Sequence, residues 1–316
     1  MSTRRHERWG GSWTEQKLAA LEKYIHAYLT IMHGNEDARW FTKIYLDGFA
    51  GSGKRYTRKV KTKKPTQQEQ ELIPEVSTEV EREELREYME GSALRVLRAE
   101  KPAPFDRYIF IDIDPKETQK LKQQLSTQFP NRNIEVVTQD ANTYIQNWCS
   151  QMGALDRAVV FLDPFGLQVE WKTIQAIAET GKIDCWLLIP LGVGLLRMLP
   201  HNNMISEQNQ QILTRFFGTE EWQERFYQRS EALVLPFEED VFRQDEYYRV
   251  DKSQIAQFII ERLRLVFPSE GVIKEPLVLR NSKNNPIYLF AFAAANPKGA
   301  PTAVKIAGDI IGRSQP

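Results

Sequence analysis

Between Lys43 and Gly192, short apolar runs alternate with amphipathic stretches, and four of those runs stop at an aspartate. The four are "KIYLDGFA", "DRYIFIDID", "NIEVVTQD" and "RAVVFLDPFG", and "IDCWLLIPLG" closes the series. Runs rich in Val, Ile, Leu and Phe, bounded by turn residues, read as strands buried on both faces. The intervening "PKETQKLKQQLSTQF", "ANTYIQNWCSQM" and "EWKTIQAIAETG" carry the helical period. This alternation predicts an α/β fold: a doubly wound, mostly parallel sheet with helices on both faces.

The flanks add to that frame. "TEQKLAALEKYIHAYLTIMH" places Leu18, Leu21, Ile25, Tyr28 and Leu29 on one face of a helix, with Thr14 as its expected N-cap. After the first strand and its glycine loop, residues 54–90 form a polar insertion, basic at first and Glu-rich from Glu69 onward. Its later part, "STEVEREELREYMEGSALRVLRAEKP", reads as helical with a break near Gly91 and Ser92. Residues 193–268 read as a helical insertion, followed by two strands, "EPLVLR" and "PIYLFAFAAAN", joined by a polar turn. A final helix is expected from about Thr302. The 316 residues are therefore expected to form one Rossmann-like domain carrying two insertions.

Charge excludes little, because 42 Lys and Arg balance 42 Asp and Glu. Its distribution says more: seven basic residues lie between Lys54 and Lys64. Cys149 and Cys185 fit neither a metal nor a redox spacing, and the four histidines are scattered. No apolar run has transmembrane length and no signal peptide is evident, so a cytoplasmic location with reduced thiols is expected.

In an open parallel sheet, ligands gather beyond the carboxyl ends of the strands. Asp47, Asp112, Asp114, Asp140 and Asp163 all fall there. The first loop, Gly48 to Lys54, admits two ligands. One is a nucleoside triphosphate, since Gly48-x4-Gly53-Lys54 is nearly a P-loop. However, Arg55 stands where that motif needs a metal-reaching Ser or Thr. The other is S-adenosylmethionine (SAM). Gly48, Phe49, Gly51 and Gly53 would then shape the turn, and Asp47 would receive the amino group. Asp112 or Asp114 would accept the ribose hydroxyls, and Asp140 the adenine amine. A carboxylate at the ribose argues against NADP, and "DGFAGSG" lacks the dinucleotide spacing that NAD would need. Asp163, Pro164 and Phe165 sit where a reacting group would lie. Asp163 either accepts a hydrogen bond from an amine or caps the next helix, and Phe165 either faces a planar substrate or belongs to the core.

From about Trp13 to Ile311 the chain resembles the three-Cys-motif partner protein family, TcmP. The similarity is carried by "YLDGFAGSG", "GSALRVL", "RAVVFLDPFGLQVEW", "IDCWLLIPLG" and "PIYLFAFAAANPKGA", and it includes Trp171. That resemblance implies association with a radical-SAM-like protein that carries the cysteines. The family in turn is similar to class I SAM-dependent methyltransferases, which implies a seven-stranded sheet in the order 3-2-1-4-5-7-6. "DPFG" resembles the Asp-Pro-Pro-Tyr tetrad of enzymes that methylate nucleic-acid amines. It departs from that tetrad in having Phe165 for the second proline and Gly166 for the aromatic.

The expected function is SAM-dependent methylation of a nucleic-acid base amine, with "KRYTRKVKTKK" as a phosphate-contacting arm for DNA or RNA. The alternative is a catalytically inactive, SAM-binding or methyltransferase-like scaffold subunit. A P-loop hydrolase is the third reading.

Overall fold

The computed structural model describes residues 12–51, 92–99, 101–201, 203–229, 247–281 and 283–313. Gly53, the 54–90 insertion and the helix expected before Gly91 lie outside the described residues.

Seven strands form one sheet in the order β3-β2-β1-β4-β5-β9-β8. They are β1 (Thr42–Asp47), β2 (Arg107–Asp112), β3 (Ile134–Thr138), β4 (Asp156–Leu162), β5 (Ile183–Pro190), β8 (Leu277–Arg280) and β9 (Pro286–Ala294). The first five are mutually parallel. β9 runs antiparallel to β5, and β8 antiparallel to β9, so β9 alone is reversed. Asp47 pairs in register with Phe110 of β2 and Phe161 of β4, which brings the carboxyl ends of the central strands to one level.

Alternation along each strand divides the core into two layers. Ile44, Leu46, Ile109, Ile111, Val160 and Leu162 face α4 (Ala141–Ser150) and α5 (Trp171–Glu179). Tyr45, Tyr108, Phe110, Phe161, Trp186, Phe290 and Phe292 face the other way and make an aromatic layer. Trp186 stacks on Phe290 with centroids 4.6 Å apart, a geometry that adds to area burial. The first helix, α1 (Ser12–Gly34), packs on this layer through Tyr24, whose ring meets Trp186 edge-on at 5.4 Å. α1 starts at Ser12, so Thr14 lies inside its first turn instead of capping it.

α2 (Ser92–Arg98) packs beside α1, and α3 (Pro115–Gln128) links β2 to β3. Beyond β5 a π-helical turn, Leu191–Leu195, leads through a short helical turn, Leu196–Met198, to α6 (Glu207–Phe217) and α7 (Trp222–Phe226). The 193–268 region is not helical throughout. Tyr227–Arg229 (β6) and Tyr247–Arg249 (β7) pair antiparallel in a small second sheet. α8 (Lys252–Val266) then opens with a capping box made by Asp251 and Gln254. The last helix, α9 (Ala300–Gly312), starts two residues before Thr302. Among the described residues no helix is long and apolar enough to cross a membrane.

Candidate functional site at the carboxyl ends of the strands

The loop after β1 is sewn to its neighbours by its own amides. Gly48 N donates to Phe161 O at 3.0 Å, and Ala50 N to Ile111 O at 2.8 Å. Phe49 N donates to Asp47 Oδ1 at 3.1 Å, and Gly51 N to Asp112 Oδ2 at 3.0 Å. Four consecutive N–H groups are thus spent inside the protein. A phosphate cradle needs such groups free and pointing at the ligand. Over residues 48–51 the amides are therefore not free to hold a phosphate.

The glycines of this loop have different reasons to be glycine. Gly51 has a φ of +56°, a conformation that disfavours any Cβ. At Gly48 a Cβ would lie 2.9 Å from Leu162 Cδ2, so a side chain there would have to displace that methyl.

Asp47 is fully buried. Ser92 Oγ donates to its Oδ2 at 2.7 Å, and Phe49 N holds the other oxygen. Burial pushes its carboxyl up to about 7, against the pull of those two donors. Asp47 therefore organises the loop and the start of α2, and in this structure it is closed off from a ligand's amino group.

Asp112 is half-buried at the end of β2, and each of its oxygens accepts one backbone N–H, from Gly51 and from Asp114 at 2.8 Å. Each oxygen keeps acceptor capacity for a hydroxyl. Burial raises this carboxyl above its ordinary range, against the two amide donors. Asp114 instead caps α3, accepting from Lys116 N at 2.7 Å. Between them, Ile113 exposes 66% of its surface. Asp140 caps α4 through Oδ1, which accepts from Thr143 N and Oγ1.

Asp163 follows β4, and it does not cap α5, whose N-cap is Glu170 without a side-chain bond. Its Oδ2 lies 2.5 Å from Nζ of Lys17 in α1. Lys17 is completely buried, and its ammonium sits 5.6 Å from the Phe161 ring centre. Asp163 Oδ1 is also buried and has no hydrogen-bond partner among the described residues. Burial lifts Asp163 to about 6 while Lys17 opposes that rise; burial lowers Lys17 to about 8 while Asp163 and Asp47 oppose that fall.

The loop beyond Asp163 is braced from α4. Asn142 Nδ2 donates to Gln168 O at 2.9 Å, and Asn142 Oδ1 accepts from Glu170 N at 2.9 Å and Thr173 Oγ1 at 2.8 Å. Gln168 Oε1 accepts from Phe165 N at 3.1 Å. Pro164 is buried, Phe165 is half-buried, and Gly166 turns the chain with a φ of +64°. Trp171 is a packing residue, with Arg262 4.8 Å above its ring. It borders a void of about 10 Å³ between α5, β5, α6 and α8, room for a single water, and none of the strand-end aspartates lines it.

Two residues of this site escape a reading by motif, Lys17 and Asn142, while Ser92 lies in "GSALRVL" with no role legible there. Lys17 alone had a visible signal, since it falls one helical turn from both Trp13 and Leu21 on the buried stripe of α1.

A sheet in the order 3-2-1-4-5-7-6, with only its last strand in sequence reversed and acidic strand ends gathered at one edge, is the class I methyltransferase fold. No family model matches the chain, and no curated protein matches it. Solved structures do match at low identity. One is a protein of Legionella pneumophila, 14% identical, with a TM-score of 0.48, covering 96% of this chain and 93% of that one. Another is Trm1 from Pyrococcus horikoshii, determined with S-adenosyl-L-methionine. It is 10% identical with a TM-score of 0.44, and the match covers 95% of this chain and 61% of that one. A third is an S-adenosylmethionine-dependent methyltransferase from Clostridium acetobutylicum, 10% identical, with a TM-score of 0.37, covering 87% of this chain and 91% of that one. The fold assignment rests on strand order and direction, not on these similarities.

Proposed function

We propose that the protein is a SAM-dependent methyltransferase whose acceptor is a nucleic-acid base amine. The observation that carries this reading is Asp163 Oδ1, a buried acceptor at the end of a central strand with no partner among the described residues. A buried polar atom left unpaired costs about 1–3 kcal/mol, so it is expected to be met by a ligand. Asp112 would hold the ribose hydroxyls, Ile113 would lie against the adenine ring, and Asp140 would accept from the adenine amine. SAM, when bound, supplies an electrophilic methyl group.

The remaining chemistry belongs to this chain. Asp163 Oδ1 accepts an N–H of the incoming amine and so turns the nitrogen lone pair away from the carboxylate. Pro164 and the Asn142 bracing hold that carboxylate in place, and Phe165 offers a ring to a planar acceptor. The basic residues between Lys54 and Lys64 would contact phosphates. A radical-SAM-like cysteine-motif protein is the proposed partner, on the resemblance of the sequence to TcmP.

A second reading is a SAM-binding subunit without transferase activity. The feature favouring it is the incomplete tetrad, with Gly166 in the aromatic position. Transfer of labelled methyl from SAM to single-stranded DNA or RNA, compared between the wild type and Asp163→Asn, decides between them. Transfer lost in the variant while SAM binding persists supports the enzyme. SAM binding without transfer to any polymer, with or without the partner, supports the subunit.

A further inference from the structure

The loop from Pro164 to Glu170 is held by side chains instead of by its own backbone. Among the described residues, no main-chain group from Pro164 to Val169 bonds to another main-chain group. Leu167 and Val169 are buried in the core, a non-directional hold that sets the depth of the loop but not its orientation. Orientation comes from Gln168 and Asn142. Gln168 Oε1 accepts from Phe165 N and Gln168 O accepts from Asn142 Nδ2, so one residue is gripped at both ends. Asn142 Oδ1 uses both lone pairs, on Glu170 N at 2.9 Å and Thr173 Oγ1 at 2.8 Å. Thr173 Oγ1 in turn accepts from Gln146 Nε2 at 3.0 Å, which ties α4 to α5. An asparagine in the first turn of a helix ordinarily bonds its own neighbouring backbone or water. This one is buried and spends its amide on partners 26 to 31 residues away.

Asp140 stands two residues earlier, as the N-cap of α4. Its Oδ1 caps Thr143, and its exposed side chain keeps Oδ2 without a bond among the described residues. The first turn of α4 thus carries both the carboxylate assigned to the adenine amine and the amide that grips the loop. Resting on the reading of the site as a methyltransferase centre, we infer that Asn142 is a positioning residue that couples the cofactor to the acceptor side. Adenine held at Asp140 fixes the first turn of α4, and Asn142 passes that constraint through Gln168 to Phe165. The loop is then more firmly set with SAM bound, so a planar acceptor meets a Phe165 that is already in place. By linkage, the acceptor tightens SAM by the factor that SAM tightens the acceptor. Asn142 acts through the loop and needs no contact with either ligand.

The test is hydrogen exchange of the Phe165 and Glu170 amides, resolved by NMR with and without SAM, in the wild type, Asn142→Asp and Gln168→Met. Asn142→Asp keeps an oxygen for Glu170 N and Thr173 Oγ1 but sets a second oxygen against Gln168 O. Gln168→Met removes the acceptor of Phe165 N and leaves Asn142 intact. In the wild type, SAM should slow both amides at least about fivefold, the low end of couplings between sites. In Asn142→Asp without ligand, Phe165 should exchange about fivefold faster, the worth of one hydrogen bond. SAM should no longer slow it there, although calorimetry still detects SAM binding. In Gln168→Met, Phe165 should be fast in both states while Glu170 keeps its response to SAM. Equal slowing of Phe165 by SAM in the wild type and Asn142→Asp overturns the inference, since SAM would then shield the loop directly. No slowing in the wild type overturns it too. So does loss of the Glu170 response in Gln168→Met, an outcome that stays readable if Asn142→Asp does not fold. Absence of SAM binding to the wild type overturns the methyltransferase reading and the coupling with it. The ligand-free exchange of Asn142→Asp still decides whether Asn142 holds the loop.

Discussion

Ser92 donates its hydroxyl hydrogen to Asp47 Oδ2 at 2.7 Å, joining the first turn of α2 to the end of β1 across 45 residues of sequence. Asp47 has no exposed surface, so the bond that Ser92 supplies is not replaced by water when it is lost. Ser92→Ala should therefore destabilise the protein by about 1–3 kcal/mol, read as a lower urea midpoint with an unchanged m-value. An unchanged midpoint would show that α2 does not hold the loop.

Gly218 ends α6 with a φ of +67°, and a Cβ there would lie 2.1 Å from Cδ1 of Trp171. Both the left-handed backbone and the indole exclude a side chain. Gly218→Ala should cost about 2–4 kcal/mol, the sum of a backbone penalty and an overpacked contact. Urea denaturation followed by tryptophan fluorescence checks it.

Stability should vary with pH in a direction set by the buried groups. Asp47 is raised to about 7, and Asp163 and Asp184 to about 6, all mainly by burial. Unfolded carboxylates titrate near about 4, so between those values the folded state binds more protons and stability falls as pH rises. Lys17 is lowered to about 8, so above that value the unfolded state binds more protons and stability recovers. The contribution of these groups should be least favourable between about pH 7 and pH 8. Urea titrations of the wild type and Asp47→Asn from pH 4 to 10 measure it. The variant should show a shallower fall up to pH 7, and an identical profile would count against Asp47.

The strands were legible because they are buried on both faces and end in turn residues, so "FIDID" and "FLDPFG" mark the site edge without any tertiary information. The reversed β9 was legible as well, since a short polar turn between two apolar runs permits only an antiparallel return. The roles of the aspartates were less legible, because Asp is chemically suited both to capping and to binding. Asp114 and Asp140 cap helices, and only the fold could show that Asp112 is held by two amides while Asp163 is not a cap. Lys17 showed its place on the apolar stripe but not its role, because a lysine there is ordinarily read as reaching for water. The β6–β7 pair was missed because three-residue strands carry too little periodicity to register against a helical background.

The basic run from Lys54 to Lys64 predicts salt-dependent polymer binding. Affinity for single- or double-stranded polymer should fall by about 0.7–0.9 log units per decade of salt for each phosphate contact. Neutralising Lys59, Lys61, Lys63 and Lys64 together should flatten that slope and leave SAM affinity unchanged. A flat isotherm for the intact protein at low salt would remove nucleic acid as the acceptor.

The central claim is that the strand-end carboxylates hold SAM, and calorimetric titration of SAM tests it most directly. The account predicts binding to the wild type without magnesium, tighter than binding of ATP, GTP or NAD. Asp112→Ala should weaken it by about 1.5–3 kcal/mol, the worth of charge-assisted hydrogen bonds to the ribose. Asp114→Ala should keep SAM affinity while losing about 1 kcal/mol of stability with its helix cap. Magnesium-dependent ATP binding with no detectable SAM binding, or full SAM affinity in Asp112→Ala, would contradict the account.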